Sequence, residues 1–173
     1  MEYKGYTLEI SQDIYSESPR DEVDNLATMA YFKGSRTSIG DVEWNIEDMR
    51  ETLTSDKFIS LPVYLYNHSG LAINTTGFSC PWDSGQCGII FVSKEDVRKE
   101  WSKQRISKKL YNHILNCLRG EVETYNMYLQ GDVWMYNIED KDGNTKDSCI
   151  GFYGMDYCLE AAKESADYLA LNP

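Results

Sequence analysis

The sequence predicts an α+β protein in which a mixed or antiparallel sheet of five to seven strands carries three or four helices. Runs with the polar–apolar alternation of half-buried strands occur beside runs with the three-to-four-residue apolar spacing of helices. The chain has 173 residues, of which 42% are apolar and 26% charged, as is typical of one folded domain. No repeat, low-complexity tract or Pro/Gly-rich linker interrupts it, so residues 1–173 are expected to form a single domain.

The first half of the chain is expected to supply mostly strands. Alternating residues predict a strand at Tyr3–Ile10, and an apolar run predicts a second at Leu26–Phe32. The segment Ile46–Leu53 has the apolar spacing of a short helix. Ile59–Tyr66 is rich in β-forming residues, and its Pro62, which lacks a backbone N–H, predicts a bulge or an edge strand.

The second half is expected to contribute most of the helices. Ser93 follows a predicted core strand and has the position of a helix N-cap. A longer helix begins at Ser107, and Gly120 predicts a kink or break in it. The remaining predicted elements are a turn at 68–70 leading to a strand at Leu71–Thr75, a core strand at Gly88–Val92, a hairpin of Val133–Ile138 with Cys149–Tyr153, and a closing helix at Asp156–Leu171.

Composition excludes several classes of function. No apolar run reaches ten residues, so no membrane span is expected, and the first residues do not have the basic-then-apolar pattern of a leader, so secretion is not expected. The five cysteines form no C-x-x-C pair, which predicts reduced thiols, a cytoplasmic location and no metal site. No phosphate-binding loop is present, and no cofactor is expected. The net charge of −11 argues against general binding of nucleic acid.

Charge is distributed unevenly along the chain. Residues 1–57 carry a net charge of −7 and residues 120–173 carry −8, whereas residues 94–119 carry +5. One interpretation is a solvated acidic surface that keeps the protein soluble. The other is a surface that binds a basic partner, such as the nucleic-acid channel of a nuclease. The candidate partner-binding residues are Asp21, Glu22, Asp24, Asp41, Glu43, Glu47, Asp48, Glu121, Glu123, Asp132, Glu139, Asp140 and Asp142.

The basic stretch between the two acidic parts also has two interpretations. Its side chains are either solvated, with their stems covering apolar surface, or they contact an anion such as nucleic acid or phosphate. Trp101 and Tyr111 lie in the same stretch and could stack on a base. The candidate contacts to nucleic acid are Lys94, Arg98, Lys99, Lys103, Arg105, Lys108 and Lys109.

The residue types needed for nucleophilic catalysis occur close together in the middle of the chain. A thiol is activated by an imidazole that a carboxylate orients, and a hairpin could bring His68, Cys80 and Asp83 together in this way. Their spacing matches no protease signature. The alternative is a tight polar turn in which Asp83 and Ser84 bond to nearby backbone and Trp82 packs. The enzymatic hypothesis is a thiol- or carboxylate-dependent hydrolase or transferase.

Several segments together resemble a widespread family of small acidic proteins carried by phages, plasmids and integrated elements. The most distinctive is PWDSGQ at residues 81–86. The segments that carry the resemblance are SPR (18–20), DNLATM (24–29), IGD (39–41), LPVYLYNHSG (61–70), FSCPWDSGQ (78–86), RGEVETY (119–125), GDV (131–133) and DSCIGFYG (147–154). Asn67 departs from the family pattern, in which an aspartate is expected.

The resemblance implies a mobile-element context. In that context, an inhibitor of a bacterial defence system is expected before a housekeeping enzyme. The leading expectation is therefore a non-enzymatic, anti-CRISPR or anti-restriction protein that binds a DNA-targeting nuclease, with a Cas9-type effector as the first candidate. Its acidic side chains would take the place of phosphates in a basic channel.

Overall fold

A computed structural model describes residues 1–22 and 24–172, apart from the side chain of Glu22, and confirms the α+β class. The described residues form nine strands and five helices, and the strands divide between two sheets where the sequence predicted one. The chain separates into two compact units. The first unit combines Met1–Ser18 with Met127–Pro173, and the second is Pro19–Asn126.

The first unit is an antiparallel sheet with one helix packed against it. Its strands, in the order β1-β2-β8-β9, and its helix are β1 (Glu2–Tyr3), β2 (Tyr6–Gln12), β8 (Val133–Glu139), β9 (Thr145–Tyr153) and α5 (Met155–Leu171). The β8–β9 hairpin confirms the prediction. The predicted Tyr3–Ile10 strand is instead a hairpin, because Lys4 and Gly5 both have positive φ and form a turn within it.

Helix α5 has a buried stripe and an acidic stripe on opposite sides. Cys158, Ala162 and Ala166 are fully buried and pack against Leu8, Tyr136 and Ile138 of the sheet. Three of the four acidic residues of α5 lie two positions before a member of this stripe, at residues 156, 160 and 164, and all three are exposed, whereas the fourth, Asp167, pairs with Lys4. Because two residues correspond to about 200° around a helix, these carboxylates lie on the face opposite the sheet.

The second unit contains the other sheet and four helices. Its sheet has the order β4-β3-β7-β5-β6, with β3 and β4 parallel and the other pairs antiparallel. The elements are α1 (Pro19–Glu22), β3 (Thr28–Phe32), β4 (Val42–Trp44), α2 (Ile46–Thr54), β5 (Phe58–Asn67), β6 (Leu71–Asn74), β7 (Ser84–Ser93), α3 (Lys94–Glu100) and α4 (Lys108–Leu129), whose last three residues belong to the first unit.

Local signals explain most boundaries of the second unit. The Ser93 side chain accepts a hydrogen bond from the Asp96 N–H and caps α3, as predicted. Ser107 accepts one from the Leu110 N–H at the start of α4. The break that Gly120 predicted is absent, since α4 continues through this residue with buried residues on either side. A register shift follows Pro62, which confirms the predicted bulge.

Candidate functional site

Two of the predicted partner-binding carboxylates are held by an internal arginine. The guanidinium of Arg20 donates to Asp41 through Nε and Nη2, at 2.8 and 2.5 Å, and to Glu121 through Nη1, at 2.8 Å. Its side chain is only 5% exposed. Burial alone would lower the pKa of Arg20, but the hydrogen bonds to both carboxylates outweigh it and raise that pKa above its ordinary value.

The same two carboxylates also hold the backbone that leads into β3. Glu121 Oε1 accepts from the N–H groups of Leu26 and Ala27, and Asp41 Oδ2 accepts from the Met29 N–H at 2.7 Å. Asp41 and Glu121 therefore anchor the chain that leads into β3 within the second unit. The structure gives them an internal role that the sequence did not indicate.

The other predicted carboxylates of the second unit lie at its surface. Glu43 accepts from the Gly34 N–H, and Asp48 accepts from the side chain of the N-cap Asn45. The remaining ones are exposed along their elements, and the side chain of Glu22 lies outside the described part of the chain. The exposed residues are Asp21, Asp24, Glu43, Glu47, Asp48 and Glu123.

The acidity of the protein is concentrated in the first unit. Its two segments hold 13 acidic and 4 basic side chains, a net charge of −9, whereas the second unit holds 15 and 13, a net charge of −2. Asp132 accepts from the Trp134 indole N–H, and Asp140 accepts from the Asp142 and Asn144 N–H groups in the hairpin turn. Asp142 is exposed and Glu139 half-buried.

The acidic stripe of α5, made by Asp156, Glu160 and Glu164, is the feature that sequence reasoning missed. The three residues recur every four positions in the sequence. On a helix, this spacing places their side chains in one row along the surface. Among the described residues, no ion pair or hydrogen bond engages any of these carboxylates. Like charges at this spacing destabilise a helix by about 0.2–0.5 kcal/mol per pair, so the stripe does not serve the stability of α5.

A partly buried network connects the β8–β9 hairpin to α5. Asp147 accepts hydrogen bonds from the Tyr136 hydroxyl, at 2.8 Å, and from the Ser165 hydroxyl. The bond from Ser165, followed by that from Tyr136, lowers the pKa of Asp147. Burial, together with the bond to Asp147, raises the pKa of Tyr136 to about 12. Through Ser165, the network holds the part of α5 that follows the acidic stripe against the β8–β9 hairpin.

The structure brings His68, Cys80 and Asp83 together, as the hairpin prediction expected. Asp83 Oδ2 lies 3.3 Å from His68 Nδ1 and 3.6 Å from Cys80 Sγ, which donates to it. The backbone holds this arrangement, because the Asn67 N–H donates to the Asp83 carbonyl and the Ser84 hydroxyl donates to the Cys80 carbonyl. The predicted polar turn is therefore present. The prediction that Trp82 packs is wrong, since it is 91% exposed.

The order of contacts in this cluster differs from that of a thiol–imidazole pair. In such a pair the imidazole contacts the thiol directly. Here the carboxylate lies between the two, and in the described structure no hydrogen bond joins His68 to Cys80. His68 and Asp83 are 64% and 38% exposed, so the cluster is open to water. In the described part of the chain, Asp83 thus contacts both side chains, and no contact of the imidazole would activate Cys80.

The basic stretch surrounds a cavity of about 420 Å³ in the second unit. The indole of Trp101 and the side chain of Leu110 form its apolar walls, and His113 meets Trp101 edge to face with 6.1 Å between ring centroids. Lys94, Arg98 and Lys99 lie apart from it on α3, where Lys99 pairs with Glu95 at 3.0 Å. The polar residues of the lining are Lys103, Arg105, Ser107, Lys109 and His113.

Comparisons with known proteins give no match. No family model, no curated protein and no solved structure matches the chain. In the described part of the chain, no three His, Cys, Asp or Glu side chains are grouped as metal ligands would be. Of the helices described, none combines the length and the apolar character needed to cross a membrane.

Proposed function

We propose that the protein is a non-enzymatic inhibitor that binds the basic nucleic-acid channel of a bacterial DNA-targeting nuclease through its acidic surface. The observation that carries the proposal is the acidic stripe of α5 within a unit of net charge −9. The mobile-element resemblance of the sequence directs the search to defence nucleases, either a Cas9-type effector or a restriction enzyme, and to the cytoplasm of the host cell.

The spacing of the stripe supports mimicry of a phosphate backbone. Residues 156 and 164 are eight positions apart, which is about 12 Å along a helix. One strand of duplex DNA carries a phosphate about every 3.4 Å, or three to four over the same length. Three carboxylates therefore approach the charge of one DNA strand. Asp142, in the hairpin turn of the same unit, adds a further exposed charge.

The carboxylates held by Arg20 contribute differently. Asp41 and Glu121 share the single positive charge of Arg20, so together they attract a basic partner less strongly than two free carboxylates would. The partner-binding role that the sequence suggested for thirteen residues thus rests on those at the surface, together with the α5 stripe.

Capture from a lysate tests the proposal. The tagged full chain is incubated with lysate of a bacterium that carries a Cas9-type or restriction system, with nuclease treatment to remove bridging DNA. We expect a DNA-handling nuclease to be recovered by the wild type and lost with Asp156→Asn/Glu160→Gln/Glu164→Gln. The matched control, Glu51→Gln/Asp56→Asn/Glu100→Gln, removes three exposed acidic charges of the second unit that are not among the candidate partner-binding residues, and it is expected to retain the partner. Recovery of no such nuclease by the wild type contradicts the proposal.

A second candidate function is supported by the contacts of Asp83. With His68 and Cys80 on either side of this carboxylate, a small hydrolase or transferase is the enzymatic alternative. Cys80→Ser and Asp83→Asn separate the two functions. If both variants fold and bind the nuclease but no longer inhibit it, the enzyme hypothesis replaces the inhibitor hypothesis.

A further inference from the structure

We propose that the cavity beside Trp101 binds single-stranded nucleic acid, with one base against the indole and successive phosphates on Lys103, Arg105 and Lys109. The site lies wholly in the second unit and does not depend on the acidic stripe of α5. It gives an otherwise acidic protein a separate contact to nucleic acid.

Within the described residues, the cations of this cavity have no acidic partner. Residues 101–109 contain four basic and no acidic side chains. In the described structure, no ion pair involves Lys103, Arg105, Lys108 or Lys109, and all four are exposed. The first turn of α4 likewise contains no acidic residue, although acidic residues are favoured there. The positive charge is therefore available to an anion.

The walls of the cavity select the kind of anion. Trp101 and Leu110 provide apolar surface, and a bare phosphate or sulfate gains nothing from such surface. A nucleotide has both an aromatic base, which stacks on tryptophan, and a phosphate, which lysine and arginine bind. The volume of about 420 Å³ falls in the range of about 300–1,000 Å³ for small-ligand sites.

Trp101 separates cavities of opposite charge. A second cavity on the indole is lined by acidic side chains, among them Asp24, Asp96 and Glu100. A phosphate is repelled from that side and attracted to the other, so the ligand has one orientation. Because three cations line the cavity and Lys108 is exposed next to them in the chain, more positive charge is present than a single phosphate requires, and we assign the site to a strand that passes through it and not to a free mononucleotide.

The experiment measures fluorescence anisotropy of a labelled single-stranded 12-nucleotide oligothymidylate against the full chain between 50 and 300 mM salt. Three phosphate contacts predict a slope of about −2 for log K against log salt, at about −0.7 per contact on single strands. We expect Lys103→Ala/Arg105→Ala to weaken binding at least tenfold and to reduce the slope to about −0.7. Lys33→Ala/Arg36→Ala removes the same charge from another part of the second unit and is expected to change affinity less than twofold.

Trp101→Leu tests the stacking contact. Loss of one stacked base weakens single-strand binding by roughly 5- to 150-fold, and the salt slope is expected to stay unchanged. The thermal unfolding midpoint of each variant verifies that it is folded. If Trp101→Leu does not fold, the charge variants decide, because Lys103 and Arg105 are exposed.

Four results would overturn the proposal. The first is no binding of the oligonucleotide by the wild type, and the second is an equal loss with Lys33→Ala/Arg36→Ala. The third is displacement of the oligonucleotide by AMP or inorganic phosphate as effectively as by unlabelled oligonucleotide, which would identify a small ligand instead of a strand. The fourth is equal affinity for a duplex of the same length.

Discussion

Replacing Arg20 is expected to destabilise the protein more than replacing any surface cation. The Arg20→Met variant keeps a long side chain but removes the charge and all the donors. Among the described residues, the guanidinium makes hydrogen bonds of 2.5–3.0 Å to Asp41, Glu121, Asn25 and the Ala27 carbonyl. Without the guanidinium, the partly buried carboxylates of Asp41 and Glu121 lose the cation that pairs with them.

The magnitude follows from burial. Breaking a buried ion pair by removing one partner costs about 3–5 kcal/mol, whereas an exposed pair contributes about 0–1 kcal/mol. Backbone N–H groups continue to bind Asp41 and Glu121 in the variant, so we expect the lower end of the buried range, about 3 kcal/mol. At about 2–4 °C per kcal/mol for a chain of this length, the unfolding midpoint falls by roughly 6–12 °C.

The assay is urea and thermal unfolding followed by circular dichroism. Lys99→Met is the matched control, because Lys99 also contacts two carboxylates but is 68% exposed, and we expect it to cost less than about 1 kcal/mol. Arg20→Lys keeps the charge without the planar fork and is expected to fall between wild type and Arg20→Met. A loss for Arg20→Met no greater than that for Lys99→Met would refute the internal role of Asp41 and Glu121.

Three further predictions concern stability. The Glu160→Gln/Glu164→Gln variant removes two like-charge pairs, 156/160 and 160/164, and is expected to raise the free energy of unfolding by about 0.4–1 kcal/mol. A loss of stability in urea would show that these charges stabilise the helix. The pKa of Tyr136 is raised from 10.0 to about 12, so the stabilisation that its protonated hydroxyl provides is present below pH 10 and is lost between pH 10 and pH 12. In urea unfolding across that interval, the free energy of unfolding should decline less steeply for Tyr136→Phe than for the wild type. A Cβ at Gly88 would lie 2.1 Å from the Ala30 carbonyl oxygen, whereas one at Gly85 meets open space, so Gly88→Ala should cost about 1–3 kcal/mol and Gly85→Ala much less by thermal unfolding.

Elements with strong local signals could be predicted from the sequence. The helix at residues 46–54 and the N-cap at Ser93 follow from spacing and capping chemistry alone. Pro62 illustrates how far such a signal extends. Pro62 predicts a bulge or an edge strand, and the structure has a bulge next to it. At Pro62, β5 pairs with β7 only, because its pairing with β6 begins at Tyr64.

Features that depend on distant parts of the chain could not be predicted. Strand β2 pairs with β8, more than 120 residues away, and this pairing produces a second sheet that no local pattern encodes. Arg20 and Glu121 are 101 residues apart, so nothing near either one marks it as paired. The α5 stripe is different, since its four-residue spacing is visible in the sequence, and only its exposure required the structure.

Inhibition of DNA cleavage tests the central claim most directly. A purified Cas9-type nuclease or restriction enzyme recovered by the wild-type protein is assayed on its DNA target while the protein is titrated, at low and at high salt. We predict inhibition by the wild type that weakens as salt rises, and its loss with Asp156→Asn/Glu160→Gln/Glu164→Gln. Inhibition that is unchanged by this substitution, or insensitive to salt, would contradict the replacement of phosphates by these carboxylates.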